Sequence, residues 1–218
     1  MDKRSLTAAE RTRANEIRRR NYAKEAPNYD RQMGFFERRL FGTEHRGWAC
    51  SQARGETLEV AIGTGLNLEH YPVEARLTGV DLSPEMLAVA RTSAERMGRA
   101  IELKEGDAQD LPFADDSFDT VVCTYALCSV PDDARAISEM KRVLKPGGQL
   151  ILVDHVRSTV KPIFWLQLLY ELIPSRTKGE HMTRRPALHV GASDFEIHAH
   201  DRLRAGIIER LVALKSVR

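Results

Sequence analysis

The chain has 218 residues, of which 42% are apolar and 29% charged, with a net charge of +2. That length suits one domain around one core. The near-even charge excludes any global pull toward nucleic acid or anionic lipid.

Residues 7–26 are rich in Ala, Arg and Glu and predict a helix that stops near Pro27. Its start is basic, with Lys3, Arg4, Arg11, Arg13, Arg18, Arg19 and Arg20 against Asp2, Glu10 and Glu16. A solvated helix face is the expectation; attraction to a membrane surface or an acidic ligand is the alternative. A second helix is predicted over 30–41. Then strands and helices alternate: a strand at 57–62, a short helix at 66–71 and a strand at 76–80. Ser83-Pro84-Glu85 opens a helix with a serine cap and proline at the first helical position. It stops at Gly98. Strands follow at 101–105 and 118–125, then a helix from Pro131-Asp132-Asp133 to Leu144. Lys145-Pro146-Gly147-Gly148 is expected as a sharp turn into a strand at 149–157. Residues 161–173 predict an apolar helix, and 195–200 and 207–214 two closing strands. Such alternation means a parallel sheet with right-handed crossovers.

No window of eighteen apolar residues predicts a spanning helix, and no apolar segment follows the basic start as in a secretory signal. The cysteines, Cys50, Cys123 and Cys128, have no metal-binding spacing, so no metal site is expected. Their number suits a reducing, cytoplasmic setting.

Glu59-Val60-Ala61-Ile62-Gly63-Thr64-Gly65 reads as a buried strand entering a glycine turn, where backbone N–H groups approach a ligand unhindered. Asp81 ends the next strand, placed to accept ribose hydroxyls, with helix capping as the alternative. A dinucleotide fingerprint needs a third glycine, and Leu68 stands there instead. S-adenosylmethionine fits better, because it brings no pyrophosphate. Leu82 and Met86 would pack on its adenine. Asp107 and the Ala108 N–H would meet the adenine edge, unless Asp107 is a plain turn aspartate. Glu59 sits in a buried run and needs a partner: the cofactor ammonium, or else a local backbone contact.

On these residues the chain resembles the class I S-adenosylmethionine-dependent methyltransferases. The matching segments, in the family's order, are 58–65, 78–87, 105–108, Leu111-Pro112-Phe113 with Asp116-Ser117-Phe118-Asp119, and 142–148. Ala61 departs from the glycine usual there. The resemblance implies a Rossmann-like seven-stranded α/β sheet, mostly parallel with an antiparallel last strand, and helices on both faces. It implies an N-terminal helical lid over 1–50 and a cofactor-binding domain over 51–218. The cofactor set then comprises Tyr22, Tyr29, Glu59, Gly63, Thr64, Gly65, Asn67, Asp81, Leu82, Met86, Asp107, Ala108, Thr124 and Tyr125. Residues 22–30 resemble the lid of menaquinone and ubiquinone methyltransferases, where Tyr22 or Tyr29 would turn a ring face to the sulfonium.

On the acceptor side, residues 29–33, Arg39-Leu40-Phe41, 122–130, Asp154-His155-Val156 and 179–184 resemble mammalian thiol methyltransferases. This implies a small thiol, or a similar hydrophobic nucleophile, as acceptor. Gly63-Thr64-Gly65-Leu66, Asp81-Leu82-Ser83 and His155-Val156 also resemble bacterial phosphatidylethanolamine N-methyltransferases. The apolar stretch 163–170 reads as a pocket wall, with a membrane contact as the alternative. Thr124-Tyr125-Ala126-Leu127 lacks the Pro-Pro-aromatic signature of nucleic-acid amino methylation, so no nucleic-acid partner is expected. Asp154, His155 and His181 are the candidates for a catalytic base. His189, His198 and His200 have no reason to converge there. A quinone or natural-product methyltransferase, a dehydrogenase and a non-catalytic cofactor-binding module are the rival readings. No residue argues for an oligomeric state.

Overall fold

The computed structural model describes residues 6–172 and 179–217. Lys3, Arg4, Asp2 and the last residue of the predicted helix at 161–173 lie outside them. The order of elements begins with α1 (Ala8–Glu25), a 3₁₀ turn, α2 (Tyr29–Phe36), a π turn (Glu37–Phe41) and α3 (Glu44–Cys50). It continues through β1 (Glu56–Val60), β2 (Arg76–Asp81), α4 (Pro84–Met97), β3 (Ile101–Glu105), β4 (Phe118–Thr124) and α5 (Asp133–Val143). The last part holds β5 (Leu144–His155), α6 (Lys161–Glu171), α7 (Pro186–Ala192), β6 (Phe195–Leu203) and β7 (Ile208–Lys215).

Seven strands form one sheet in the order β3-β2-β1-β4-β5-β7-β6. The pairs among β1 to β5 are parallel, while β7 runs antiparallel to both β5 and β6. Side chains alternate across the strands, as the period of two requires. Leu58, Val60, Val121, Cys123, Leu150 and Leu152 face Ile137, Met140 and Val143 of α5 and Val190 of α7. Leu77, Val122, Ile151, Val153 and Val212 face Ala49 and Cys50 of α3 and Leu87 and Ala94 of α4. Helices therefore cover both faces. The strand order reverses between β1 and β4, which is where ligand crevices open in such sheets.

Several local expectations are met by their caps. Ser83 Oγ accepts the Met86 N–H at 3.3 Å, Pro84 opens α4, and Gly98 closes it at φ 62°. Asp132 caps α5 through the Arg135 N–H at 3.0 Å. Others are corrected. The turn expected at 145–148 is a bulge inside β5: the ladder already pairs Phe118 with Leu144 and then shifts to Thr120 with Gln149. Gly147, at φ 74°, makes the extra residues fit. The helix expected at 30–41 is α2 continued by the π turn, closed by the Gly42 N–H on Glu37 O at 2.8 Å. The short helix at 66–71 shrinks to one 3₁₀ turn, Leu68–His70. Arg18 does not belong to the solvated face. It is buried, and its guanidinium donates to Ser129 O, to Ala14 O at 3.1 Å and to Gly179 O at 2.9 Å.

Candidate functional site

Two cavities open at the carboxyl ends of the strands. The first encloses about 700 Å³, mouth included. The glycine turn supplies one wall, with Ala61 and Gly63; the tips of β2 and β3 supply Asp81, Leu82, Met86, Asp107 and Ala108. The end of β4 supplies Thr124 and Tyr125, and α1 closes the space with Asn15, Arg18 and Tyr22. Tyr29 completes that side. Glu59, Thr64, Gly65 and Asn67 are not in the wall and stand behind it.

The turn is shaped by backbone that glycine favours. Gly63 and Gly65 have φ of 59° and 83°. A Cβ on Gly63 would meet nothing within 4 Å, so this position lies open to a ligand. Ala61 has φ 57° without being glycine, a local strain. The Gly63 N–H donates to Asp81 Oδ2 at 2.8 Å, and the Ser83 N–H to Oδ1 at 2.9 Å. Asp81 thus clamps the turn to the tip of β2, with lone pairs to spare. Burial raises its pKa, and these N–H bonds only partly offset that.

Glu59 is buried on β1. Its Oε1 accepts from Asn67 Nδ2 at 2.7 Å, while Oε2 has no hydrogen-bond partner. Burial lifts its pKa to about 7, against the pull of Tyr71, Asn67 and the Arg46 cation. Asn67 Nδ2 also donates to Thr124 Oγ1 at 2.9 Å, linking Glu59 to the wall. Asp107 accepts from Asn15 Nδ2 at 2.6 Å and from the Gln109 N–H at 2.9 Å.

Arg46, on α3, is the residue that sequence reasoning missed most clearly. It is buried and donates to Glu37 Oε1 at 2.7 Å, Asn67 Oδ1 at 2.9 Å and Thr124 Oγ1 at 3.1 Å. Its guanidinium lies 5.0 Å from the Tyr125 ring centre. No motif or periodicity marks it. Asp30 accepts the Thr64 hydroxyl, and with Asn15 it ties the N-terminal helices to the glycine turn and the β3 loop.

The second cavity encloses about 910 Å³ and shares Tyr22, Tyr29 and Tyr125 with the first. Its other walls include Met33, Phe36, Phe41, Cys128, His155, Tyr170 and Met182, with Glu25 and Glu180. His155 packs on the rings of Phe41 and Tyr125, 4.4 and 4.8 Å between centres. Both of its ring nitrogens lack hydrogen-bond partners. Burial first, and then the Arg46 charge, push its pKa down to about 3. Asp154 lies beside it, out of the wall. Its Oδ1 accepts the His155 N–H at 2.8 Å and its Oδ2 is unpartnered. Burial lifts its pKa to about 7. Burial likewise pushes the Cys128 thiol well up.

His181 is not brought to either cavity. Its Nδ1 meets Glu171 Oε1 at 2.8 Å and its N–H donates to Cys128 O at 2.8 Å. The wall expected from residues 163–170 is also narrower than read: of that stretch only Tyr170 lines the second cavity.

Comparison with known proteins agrees with this geometry. The family described as a methyltransferase domain matches residues 58–152. A phosphatidylethanolamine N-methyltransferase from Cereibacter sphaeroides is 43% identical over 111 residues, covering 50% of this chain and 55% of the relative. A demethylmenaquinone methyltransferase from Deinococcus radiodurans is 35% identical over 143 residues, covering 61% of this chain and 58% of the relative. The chain therefore spans little more than half the length of these curated relatives. Among solved structures, an S-adenosylmethionine-dependent methyltransferase from Methanosarcina mazei is 27% identical with a TM-score of 0.62, over 75% of this chain and 93% of that one. Another, from Thermotoga maritima, shares the fold at 22% identity and a TM-score of 0.66, over 89% of this chain and 98% of that one.

Fold, glycine turn and these likenesses define a class I S-adenosylmethionine-dependent methyltransferase domain. Residues 58–152 match that class, the segment is similar to demethylmenaquinone methyltransferases, and S-adenosylmethionine is the cofactor of the class. The residues present fit that group: an open glycine position, a carboxylate at the tip of β2, and a buried, unpartnered carboxylate oxygen on Glu59 that an ammonium would satisfy.

Proposed function

We propose that the chain transfers a methyl group from S-adenosylmethionine in the first cavity to an amine nitrogen presented from the second. The observation that carries this reading is the meeting of the two cavities at Tyr22, Tyr29 and Tyr125. When bound, the cofactor supplies a methyl group on a cationic sulfur, open to in-line displacement. Asp81 takes the ribose hydroxyls, and Asp107 with the Ala108 N–H takes the adenine edge between Leu82 and Met86. Glu59, with Asn67 and Thr124, takes the ammonium. The segment 1–50 acts as a lid, held down by Asn15 and Asp30. Holding the partners in line on either side of the tyrosines contributes about 7–11 kcal/mol to lowering the barrier.

Burial around the second cavity selects the nucleophile. It drives Cys128, Asp154 and His155 each toward the neutral form. A thiol, phenol or quinol attacks as an anion, and the same burial makes that form scarce. An amine attacks as a neutral group, which burial favours. Transfer to a neutral amine also leaves one positive charge before and after, always beside aromatic faces that attract cations. His155, at about 3, is too weak a base to deprotonate the acceptor. Its lone pair instead accepts the amine N–H and aims the nitrogen. Asp154, near 7, is the stronger proton acceptor of the pair. The first expectation, a thiol, is the poorer fit. The Cereibacter relative is named for an ethanolamine lipid, and Met33, Phe36, Phe41 and Met182 offer such an acceptor an apolar wall.

Turnover with amines, thiols and quinols of matched chain length tests this. Amines should react fastest, with rates rising as pH frees the neutral amine, and His155→Ala should raise the amine KM. Turnover of thiols or quinols without amines would overturn the acceptor assignment. Cofactor binding without turnover of any acceptor would leave a non-catalytic binding module.

A further inference from the structure

Helix α6 leaves an apolar face uncovered. No residue of its eleven is buried. Trp165, Leu166 and Leu169 are 67, 66 and 66% exposed. Its amide residue, Gln167, turns inward beside Ile163, Phe164 and Leu168: Nε2 donates to Val156 O at 2.9 Å, and Oε1 accepts the Ser158 N–H at 2.7 Å. A helix facing water puts its apolar side against the protein and its polar side out. Across the second cavity, α2 and the π turn repeat the pattern. Phe35 and Leu40 are exposed, while Met33 and Phe36 line the cavity, as Tyr170 of α6 does from the other side. Apolar surface of this extent marks an interaction face.

The exposed charges of these two segments are basic but for Asp30, while Glu25 and Glu180 line the cavity itself. Arg31, Arg38, Arg39, Arg157 and Lys161 are exposed and form no ion pair among the described residues. Arg157 lies over the Phe164 ring at 4.0 Å, and Arg39 over Phe35 at 6.0 Å, so the cations stand among the apolar side chains. The exposed acid of these segments, Asp30, is committed to Thr64. A second copy of this face would bring like charges together. An anionic surface would meet them with opposite charge, and exposed Trp and Leu among Lys and Arg are the composition of an interfacial helix.

We propose that α6 and the α2–π turn dock this chain on an anionic phospholipid bilayer, with the second cavity opening at the docked face. The inference rests on the reading of that cavity as the acceptor site, since docking there would let a lipid-linked amine enter without crossing water.

Co-sedimentation with vesicles of equal parts phosphatidylglycerol and phosphatidylcholine tests it. Neither lipid offers a methylatable amine, so binding is read apart from the chemistry. The wild type should bind these vesicles and not pure phosphatidylcholine, and its tryptophan emission should shift to the blue. Trp165→Ser with Leu169→Ser, and Arg38→Glu with Arg39→Glu, should each weaken binding at least tenfold. Neither pair should change S-adenosylhomocysteine affinity or turnover of a soluble short-chain amine. Absence of vesicle binding, binding untouched by both double variants, or a stable dimer that Trp165→Ser with Leu169→Ser dissociates would overturn the proposal. Vesicle binding without amine turnover removes the acceptor assignment alone; amine turnover without vesicle binding removes the docking alone.

Discussion

Asp81 carries the most weight of any single side chain, because it holds the glycine turn and faces the first cavity at once. Replacing it by alanine should weaken S-adenosylhomocysteine binding at least tenfold, about 1.4 kcal/mol, measured by calorimetry. Unchanged affinity would remove Asp81 from the ribose role. Glu59 gives a pH dependence. Burial holds its folded pKa at about 7, and an ammonium partner would favour the ionised carboxylate. Binding should therefore strengthen as pH rises through 7, and Glu59→Gln should flatten that rise. A wild-type affinity that falls over the same range would contradict the assignment. Ala61 is a strained position that glycine would relieve. The left-handed backbone costs alanine about 1–2 kcal/mol, against about 0.5–1 kcal/mol of extra chain entropy for glycine. Ala61→Gly should thus raise Tm by roughly 1–3 °C, and a lower Tm would show that the methyl is packed usefully.

Among the elements, the strands and α4 were legible because their signals are local. Alternating apolar residues, a serine cap, a proline at the first turn and a closing glycine each act within a few positions. The N-terminal helices were not. Asn15 meets Asp107 across 92 positions, and Arg46 meets Thr124 across 78. No spacing rule reaches that far, so Arg46 and the burial of Arg18 stayed hidden. Helix α6 misled in another way. An apolar run reads as a buried wall, but here Trp165, Leu166 and Leu169 face out. Asn15 and Asp30 bond α1 and α2 to the β3 loop and the glycine turn. Asn15→Ala with Asp30→Ala should leave the sheet intact, speed amide exchange in α1 and hasten S-adenosylhomocysteine release by about tenfold. Exchange and release rates equal to the wild type would show that the two bonds do not hold the segment down.

For the whole molecule, topology does the positioning. The reversal of strand order between β1 and β4 sets the glycine turn opposite the β4 tip, and the N-terminal helices roof the gap. Much of the first cavity's wall could be read from the sequence, because its motifs sit at consecutive strand tips. The second cavity could not, because it draws on α2, the π turn, the β4 and β5 tips and the segment after α6. The central claim is that one nucleoside amino acid occupies the first cavity with its sulfur turned toward the tyrosines. A crystal structure with S-adenosylhomocysteine tests it most directly. The ligand should lie with its ribose on Asp81, its amino group toward Glu59 and its sulfur beside Tyr22, Tyr29 and Tyr125. Density for the ligand at any other place, or with its sulfur turned from those rings, would contradict it.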